Sequence, residues 1–183
     1  ILLDVRINTT ITAIVFDSGT TGWASVQPAS TVNMGVGAVV QVGAESNVMM
    51  DSFYPGTSPT TIAAIAYDSG SSGPCSIALT TPTALGWLSK FSLLIIGAEA
   101  VVVQDVVLGP DNIPSIRCTT TGTHSAGEAV AGVRSFRAYF TASHSAGEAI
   151  ASNSIEFETQ GAGDGSQVTG IITKSITVDA SVA

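Results

Sequence analysis

Residues Thr9–Ser25 read TTITAIVFDSGTTGWAS, and residues Thr60–Ser76 read TTIAAIAYDSGSSGPCS. Laid over one another at an offset of 51, the two stretches share Thr-Thr-Ile, Ala-Ile, Asp-Ser-Gly, a Gly three residues on, and Ser. Each is a β-branched, apolar run that stops at a glycine turn and starts again. A run of this kind fits a pleated, half-buried surface, and Asp-Ser-Gly is good turn chemistry. The chain therefore carries a repeated strand-turn-strand unit, with an internal duplication over 9–26 and 60–77.

The remaining sequence follows the same two-residue rhythm. Ile1, Leu3, Val5 and Ile7 fall on one face of an N-terminal segment, with Leu2, Asp4 and Arg6 on the other. Thr31 to Gly43 places Met34, Val36, Ala38, Val40 and Val42 on one side. Further strands are expected over Asn47 to Tyr54, Phe91 to Gly97, Ala98 to Leu108, Ser115 to Thr120, Val133 to Thr141, Ser154 to Thr159 and Val168 to Val178. Pro55-Gly56-Thr57-Ser58-Pro59, Gly109-Pro110-Asp111-Asn112 and Gly161-Ala162-Gly163-Asp164-Gly165 punctuate them. No stretch longer than ten residues carries a helical apolar stripe. The expectation is an all-β chain: a β-sandwich or jelly-roll-like pair of antiparallel sheets, one domain over 1–183, with short helical turns at most; the 51-residue offset also allows two intertwined halves.

Composition narrows the partners. Charged residues make up 11% of the chain, against about 25% in an ordinary globular domain. Thr, Ser, Gly, Ala and Val fill the gap, too apolar for disorder and too poor in Lys and Glu for long surface helices. The net charge is −8, with six Lys plus Arg in total. Nothing in that charge supports nucleic acid as a partner, since no basic stripe exists to neutralise phosphates. No membrane span is expected either: the most apolar run, Leu93 to Leu108, contains Glu99, Gln104 and Asp105. The chain starts at Ile1 rather than Met, which reads as a leader removed or a trimmed end. One glycosylation sequon is present, Asn8-Thr9-Thr10.

Cys75 and Cys118 are the only cysteines. Their spacing fits no zinc pattern. A disulfide between them, in an oxidising compartment, stands beside two buried thiols as the alternatives.

Ile14-Val15-Phe16-Asp17-Ser18-Gly19-Thr20-Thr21 and Ile65-Ala66-Tyr67-Asp68-Ser69-Gly70-Ser71-Ser72 resemble the aspartic-protease signature, an apolar strand leading into Asp-Thr/Ser-Gly-Thr/Ser. The resemblance implies an aspartic hydrolase in which Asp17 and Asp68 share a proton, because adjacent carboxylates cannot both ionise cheaply. It covers eight residues at each place, and the 51-residue spacing is far shorter than a lobe of that family. The turn chemistry of Asp-Ser-Gly explains the same residues without catalysis.

A second duplication is tighter. Thr123-His124-Ser125-Ala126-Gly127-Glu128-Ala129 returns at an offset of 20 as Ser143-His144-Ser145-Ala146-Gly147-Glu148-Ala149. His and Glu four apart on a helix offer metal ligands. Ser-x-x-Glu is also a capping box, which makes short capped turns the stronger expectation. With one strand between them, His124 with Glu128 and His144 with Glu148 are expected at opposite ends of a sheet, as subunit-contact turns. Asp164 alone is far short of the oxygen count calcium needs. Trp23 and Trp87 are candidate sugar platforms or core residues. No nucleophile elbow, phosphate loop or Cys-His pairing is present, so no cofactor and no catalytic set are expected.

These readings favour a non-enzymatic structural subunit that self-assembles with copies of itself outside the cytoplasm, as a filament, a surface layer or a virion coat. The face Ile1, Leu3, Val5 and Ile7 is the expected donated strand, since an unpaired apolar strand is a hazard for a monomer and a joint in a polymer. The strand from Val168 to Val178 is its runner-up. The rival is a carbohydrate-binding or adhesin module with an exposed aromatic cluster near Trp23 or Trp87.

Overall fold

The computed structural model describes residues 7–57, 59–81, 88–108 and 114–152, and the backbone strands 156–162, 165–172 and 176–181. The described residues contain no helix. Their strands are β1 (Asn8–Phe16), β2 (Gly22–Pro28), β3 (Val39–Val42), β4 (Glu45–Met49), β5 (Ser52–Tyr54), β6 (Thr60–Tyr67), β7 (Gly73–Leu79), β8 (Leu93–Ile96) and β9 (Glu99–Val102). They continue as β10 (Asp105–Leu108), β11 (Pro114–Thr120), β12 (Ala129–Gly132), β13 (Ser135–Phe140), β14 (Ala149–Ser152), β15 (Glu156–Ala162), β16 (Gly165–Ile172) and β17 (Ile176–Ser181).

Two antiparallel seven-stranded sheets result, ordered β4-β3-β14-β1-β2-β13-β5 and β9-β8-β12-β6-β7-β11-β10. The two orders are one pattern. β6 stands where β1 stands, β7 for β2, β8 for β3, β9 for β4, β10 for β5, β11 for β13 and β12 for β14. The chain lays down five strands of the first unit, builds the whole second unit, then returns to finish the first. The hydrogen bonds match in detail. Ile11 N–H donates to Glu148 O and Ile62 N–H to Glu128 O. Asp17 N–H donates to Trp23 O and Asp68 N–H to Pro74 O. A bulge lies between Ile11 and Ala13, and its counterpart between Ile62 and Ala64.

Each sheet curls on itself, since β4 comes against β13 and β9 against β11. Each encloses its own apolar core. Ile11, Val26, Val40, Met50, Phe136 and Phe140 are among the first cluster. Ile62, Ile77, Leu79, Leu94, Ile96 and Ile116 are among the second. Every such fully buried side chain contributes roughly 1.5–3 kcal/mol, so each unit carries a hydrophobic centre of its own inside the curled, sandwich-like sheets.

The expected strands need five corrections. Asn47 to Tyr54 is two strands, β4 and β5, parted at Met50-Asp51. Thr31 to Gly43 is strand only from Val39. Asn33 at φ 62 and Gly37 at φ 83 turn the chain before it, and alternation alone cannot report such kinks. Phe91 to Gly97 shortens to β8 because Phe91 itself has φ 76. Ala98 to Leu108 is two strands, β9 and β10, divided at Val103-Gln104. The closing segment Val168 to Val178 is a hairpin rather than one strand. β16 pairs with β15 on one side and β17 on the other, forming a separate three-stranded sheet. The runner-up assembly strand thus has backbone partners within its own chain.

Candidate functional site

The His-containing repeats build the same cluster twice. In the loop from β11 to β12, His124 Nδ1 lies 2.7 Å from Glu128 Oε2 and its Nε2 2.9 Å from Glu99 Oε2. In the loop from β13 to β14, His144 Nδ1 lies 2.7 Å from Glu148 Oε2 and its Nε2 2.9 Å from Glu45 Oε2. An imidazole with a carboxylate on each nitrogen donates from both and carries a proton. Burial pulls the pKa of both rings down, but the bonds to their glutamates outweigh it and hold both above the ordinary 6.5. Burial likewise opposes ionisation of Glu45. The Thr141 amide, His144, the Ala142 amide and the Thr141 hydroxyl overcome it and bring the carboxyl to about 2. Glu99 makes the same set of bonds with the Thr121 and Gly122 amides and the Thr121 hydroxyl, and is also lowered.

The clusters are therefore clamps. A glutamate at the start of β4 or β9 grips the return loop, and the imidazolium locks it. Glu128 and Glu148 also accept from the amide and hydroxyl of Ser125 and Ser145. That is half of the expected capping box, formed in a turn with no helix behind it. The rings are nearly closed off from solvent and both nitrogens of each are taken, which leaves no lone pair for a metal. No group of three His, Cys, Asp or Glu among the described residues is arranged to hold one. The two loops belong to different units, so they are equivalent positions of a duplicated frame and not the two ends of one sheet. Their His rings point inward, to their own Glu partners.

The Asp-Ser-Gly turns also act in parallel. Asp17 forms a two-bonded pair with Arg137, and Asp68 with Arg117. Each arginine is on the strand two places along its own sheet. The structure gives the two aspartates separate cations in separate units instead of bringing them to a shared proton. Arg117 holds the Asp68 carboxyl below the usual range. Arg137 is further packed over the rings of Phe91, at 3.5 Å, and Trp23, at 5.2 Å.

Cys75 and Cys118 face each other across β7 and β11, as free thiols with their sulfurs 3.7 Å apart. A covalent bond needs about 2.05 Å. Burial, above all, raises both thiols and keeps them protonated and poorly reactive. Their counterparts in the first unit are Ala24 and Ala138, paired on the same rung. Of the expected donated face, Ile1, Leu3 and Val5 lie outside the described residues, as do Trp87 and Asp164. Ile7 is described, and it is buried in the core of its own chain, its amide and carbonyl both bonded to Ser152.

The first unit carries a feature the second lacks. Trp23 and Tyr139 meet edge to face, with ring centroids 5.7 Å apart, and both are exposed. With Asn47, Met49, Asp51 and Thr141 they line a groove of about 520 Å³. The corresponding residues of the second unit are Pro74 for Trp23 and Thr119 for Tyr139. Asn47 has no counterpart: it is an extra residue in the β3–β4 hairpin, held at φ 67, where the ladder slips. Sequence reading named Trp23 but missed Glu45, Glu99, Arg117, Arg137 and Tyr139. The signal for the first four was present. Gly43-Ala44-Glu45 recurs as Gly97-Ala98-Glu99, and Ser115-Ile116-Arg117 as Ser135-Phe136-Arg137. No known family, characterised protein or solved structure matches this chain.

Proposed function

We propose that this protein is a structural subunit without catalytic activity that assembles with copies of itself outside the cytoplasm. The observation that carries this reading is the apolar surface left on the first unit. Val36, Val39, Met49, Trp23 and Tyr139 are all exposed there. Apolar side chains gathered on one face mark interaction sites. Supporting it, the ionisable clusters are consumed in holding loops, and the surface is polar but sparsely charged. The extracellular location rests on composition alone. Any donated N-terminal strand would have to come from residues before Ile7, which is anchored in its own core.

Size-exclusion chromatography with light scattering and negative-stain electron microscopy test the reading on the whole chain. Expected are oligomers or ordered fibres whose population grows with protein concentration. A chain that stays monomeric up to millimolar concentration overturns it.

A second reading has its own observation. The Trp23–Tyr139 pair beside Asn47 and Asp51 is an aromatic floor with polar groups at its edge, the make-up of a saccharide subsite. It expects a soluble monomer that loses sugar binding when Trp23 is replaced by Ala.

A further inference from the structure

The two units touch through different surfaces. β1 of the first packs on β9 of the second, and β2 on β8. The reciprocal pairs, β6 on β4 and β7 on β3, make no comparable contact among the described residues. The contact is thus heterologous: the β1–β2 face of one unit seats on the β3–β4 face of the other, represented there by β8–β9. Ser25 donates to the Phe91 carbonyl across it at 2.8 Å, and Arg137 lies on the Phe91 ring. Val15, Phe16 and Asp17 line one crevice with Val102 and Thr119.

Burial follows this seating residue by residue. Leu93 and Val102 form one rung of β8 and β9, and Leu93 is 0% exposed beneath the first unit. The equivalent rung of the first unit is Val39 and Met49, and these are 43% and 57% exposed. On the other face, the Arg137 side chain is 7% exposed, while its counterpart Arg117 is 33% exposed. Ser25 is buried, whereas Ser76, its equivalent on β7, is half-buried. Each chain therefore shows one covered copy and one bare copy of each face.

We propose that the bare β3–β4 face of the first unit receives the bare β6–β7 face of the second unit of another copy of this chain, repeating between molecules the contact already made within one. This rests on the self-assembly reading and specifies its joint. Met49 of one chain then faces Ala66 of the next, as Val102 faces Val15 inside each chain. Val39 and Met49 lose contact with water, and Arg117 and Asp68 come over the rim near Gly37, the counterpart of Phe91. A heterologous contact does not consume itself on pairing. It leaves a free face at each end and propagates as a ring or a filament.

The test mixes two whole-chain variants, Met49→Cys and Ala66→Cys, and adds a short bismaleimide. Cys75 and Cys118 are buried and do not compete. A covalent dimer is expected from the mixture and not from either variant alone. Met49→Asp, at an exposed position, should leave the thermal midpoint unchanged and raise the concentration for half-assembly by about tenfold, the loss of one packed apolar contact. Cross-linking of Met49→Cys to itself would show a two-fold contact and overturn the proposal. Wild-type assembly that neither cross-links nor responds to Met49→Asp overturns this joint while leaving self-assembly standing. A strictly monomeric wild type overturns both, and binding of that monomer to a saccharide array through Trp23 would assign the face to a sugar.

Discussion

The first unit, built from β1–β5 with β13 and β14, and the second, built from β6–β12, share a frame and differ in what fills it. In the first, Phe16 and Phe140 pack edge to face at 6.1 Å, and Phe140 leans on the His144 ring. In the second the same places hold Tyr67 and Thr120. The lost ring is replaced by polar bonds: His124 N–H donates to the Tyr67 hydroxyl at 2.7 Å, and the Thr120 hydroxyl donates to the Gly122 carbonyl at 3.0 Å. Both units keep the Glu-His-Glu clamp and the Asp-Arg pair. The difference teaches that loop position is set by these ionic clamps, so the side chains beneath them are free to exchange dispersion for hydrogen bonding.

The largest contrast should come from that exchange. Phe140→Ala removes a fully buried ring and should cost about 3–5 kcal/mol. Its counterpart Thr120→Ala should cost about 1 kcal/mol, the net worth of one hydrogen bond. Urea unfolding of the two variants measures both, and equal losses would mean that the buried ring and the hydrogen bond that replaces it are worth the same at this position.

Next is the Asp-Arg pair. Arg137 is buried under the neighbouring unit, so Asp17→Ala strands a guanidinium and should cost about 2–3 kcal/mol. Asp68→Ala removes a pair at the surface, where solvent already screens it, and should cost clearly less. If Asp68→Ala proves the more damaging, the seating of the first unit on the second is wrong.

The smallest contrast is pH. Both imidazoles are held above 6.5, so their contribution is complete below about that pH and is lost as pH rises through the raised value. The four glutamates are held below 4.5, so theirs is complete above about 4.5 and is lost as pH falls, for Glu45 down to about 2. Stability should therefore peak between pH 4.5 and 6.5. Replacing His124 and His144 together by Gln should remove the decline on the alkaline side. A double variant with an unchanged thermal profile from pH 5 to 9 would show that the rings are not charged in the fold.

Much of the site was written in the chain as repetition. The strand-turn-strand pairs at offset 51 and the His loops at offset 20 were both visible, and both are real structural equivalences. The 51-residue offset allowed two intertwined halves, but the offset of 20 looked like a separate duplication because the second unit is inserted in the first. Strands β1 and β2 precede their counterparts β6 and β7, while β13 and β14 follow theirs, β11 and β12. A comparison at one fixed offset cannot see a unit that closes after another has been built within it. The short expected strands failed where a single left-handed residue, Asn33 or Phe91, broke an apolar alternation. Glu45 and Glu99 recur after the same Gly-Ala, but that repeat by itself assigns them no role; only the His that the fold brings against each one does.

Alternation, glycine turns and the near absence of helix-favouring charge determined by themselves that this chain is antiparallel β, because side-chain period and turn chemistry are local properties. Which strands neighbour one another, that Asp17 and Asp68 answer to different arginines, and that one rung is covered in one unit and bare in the other were decided only in three dimensions. Those outcomes depend on residues as far apart as Asp17 and Arg137, whose meeting is fixed by the closing of two curled sheets and by nothing near either of them in the chain.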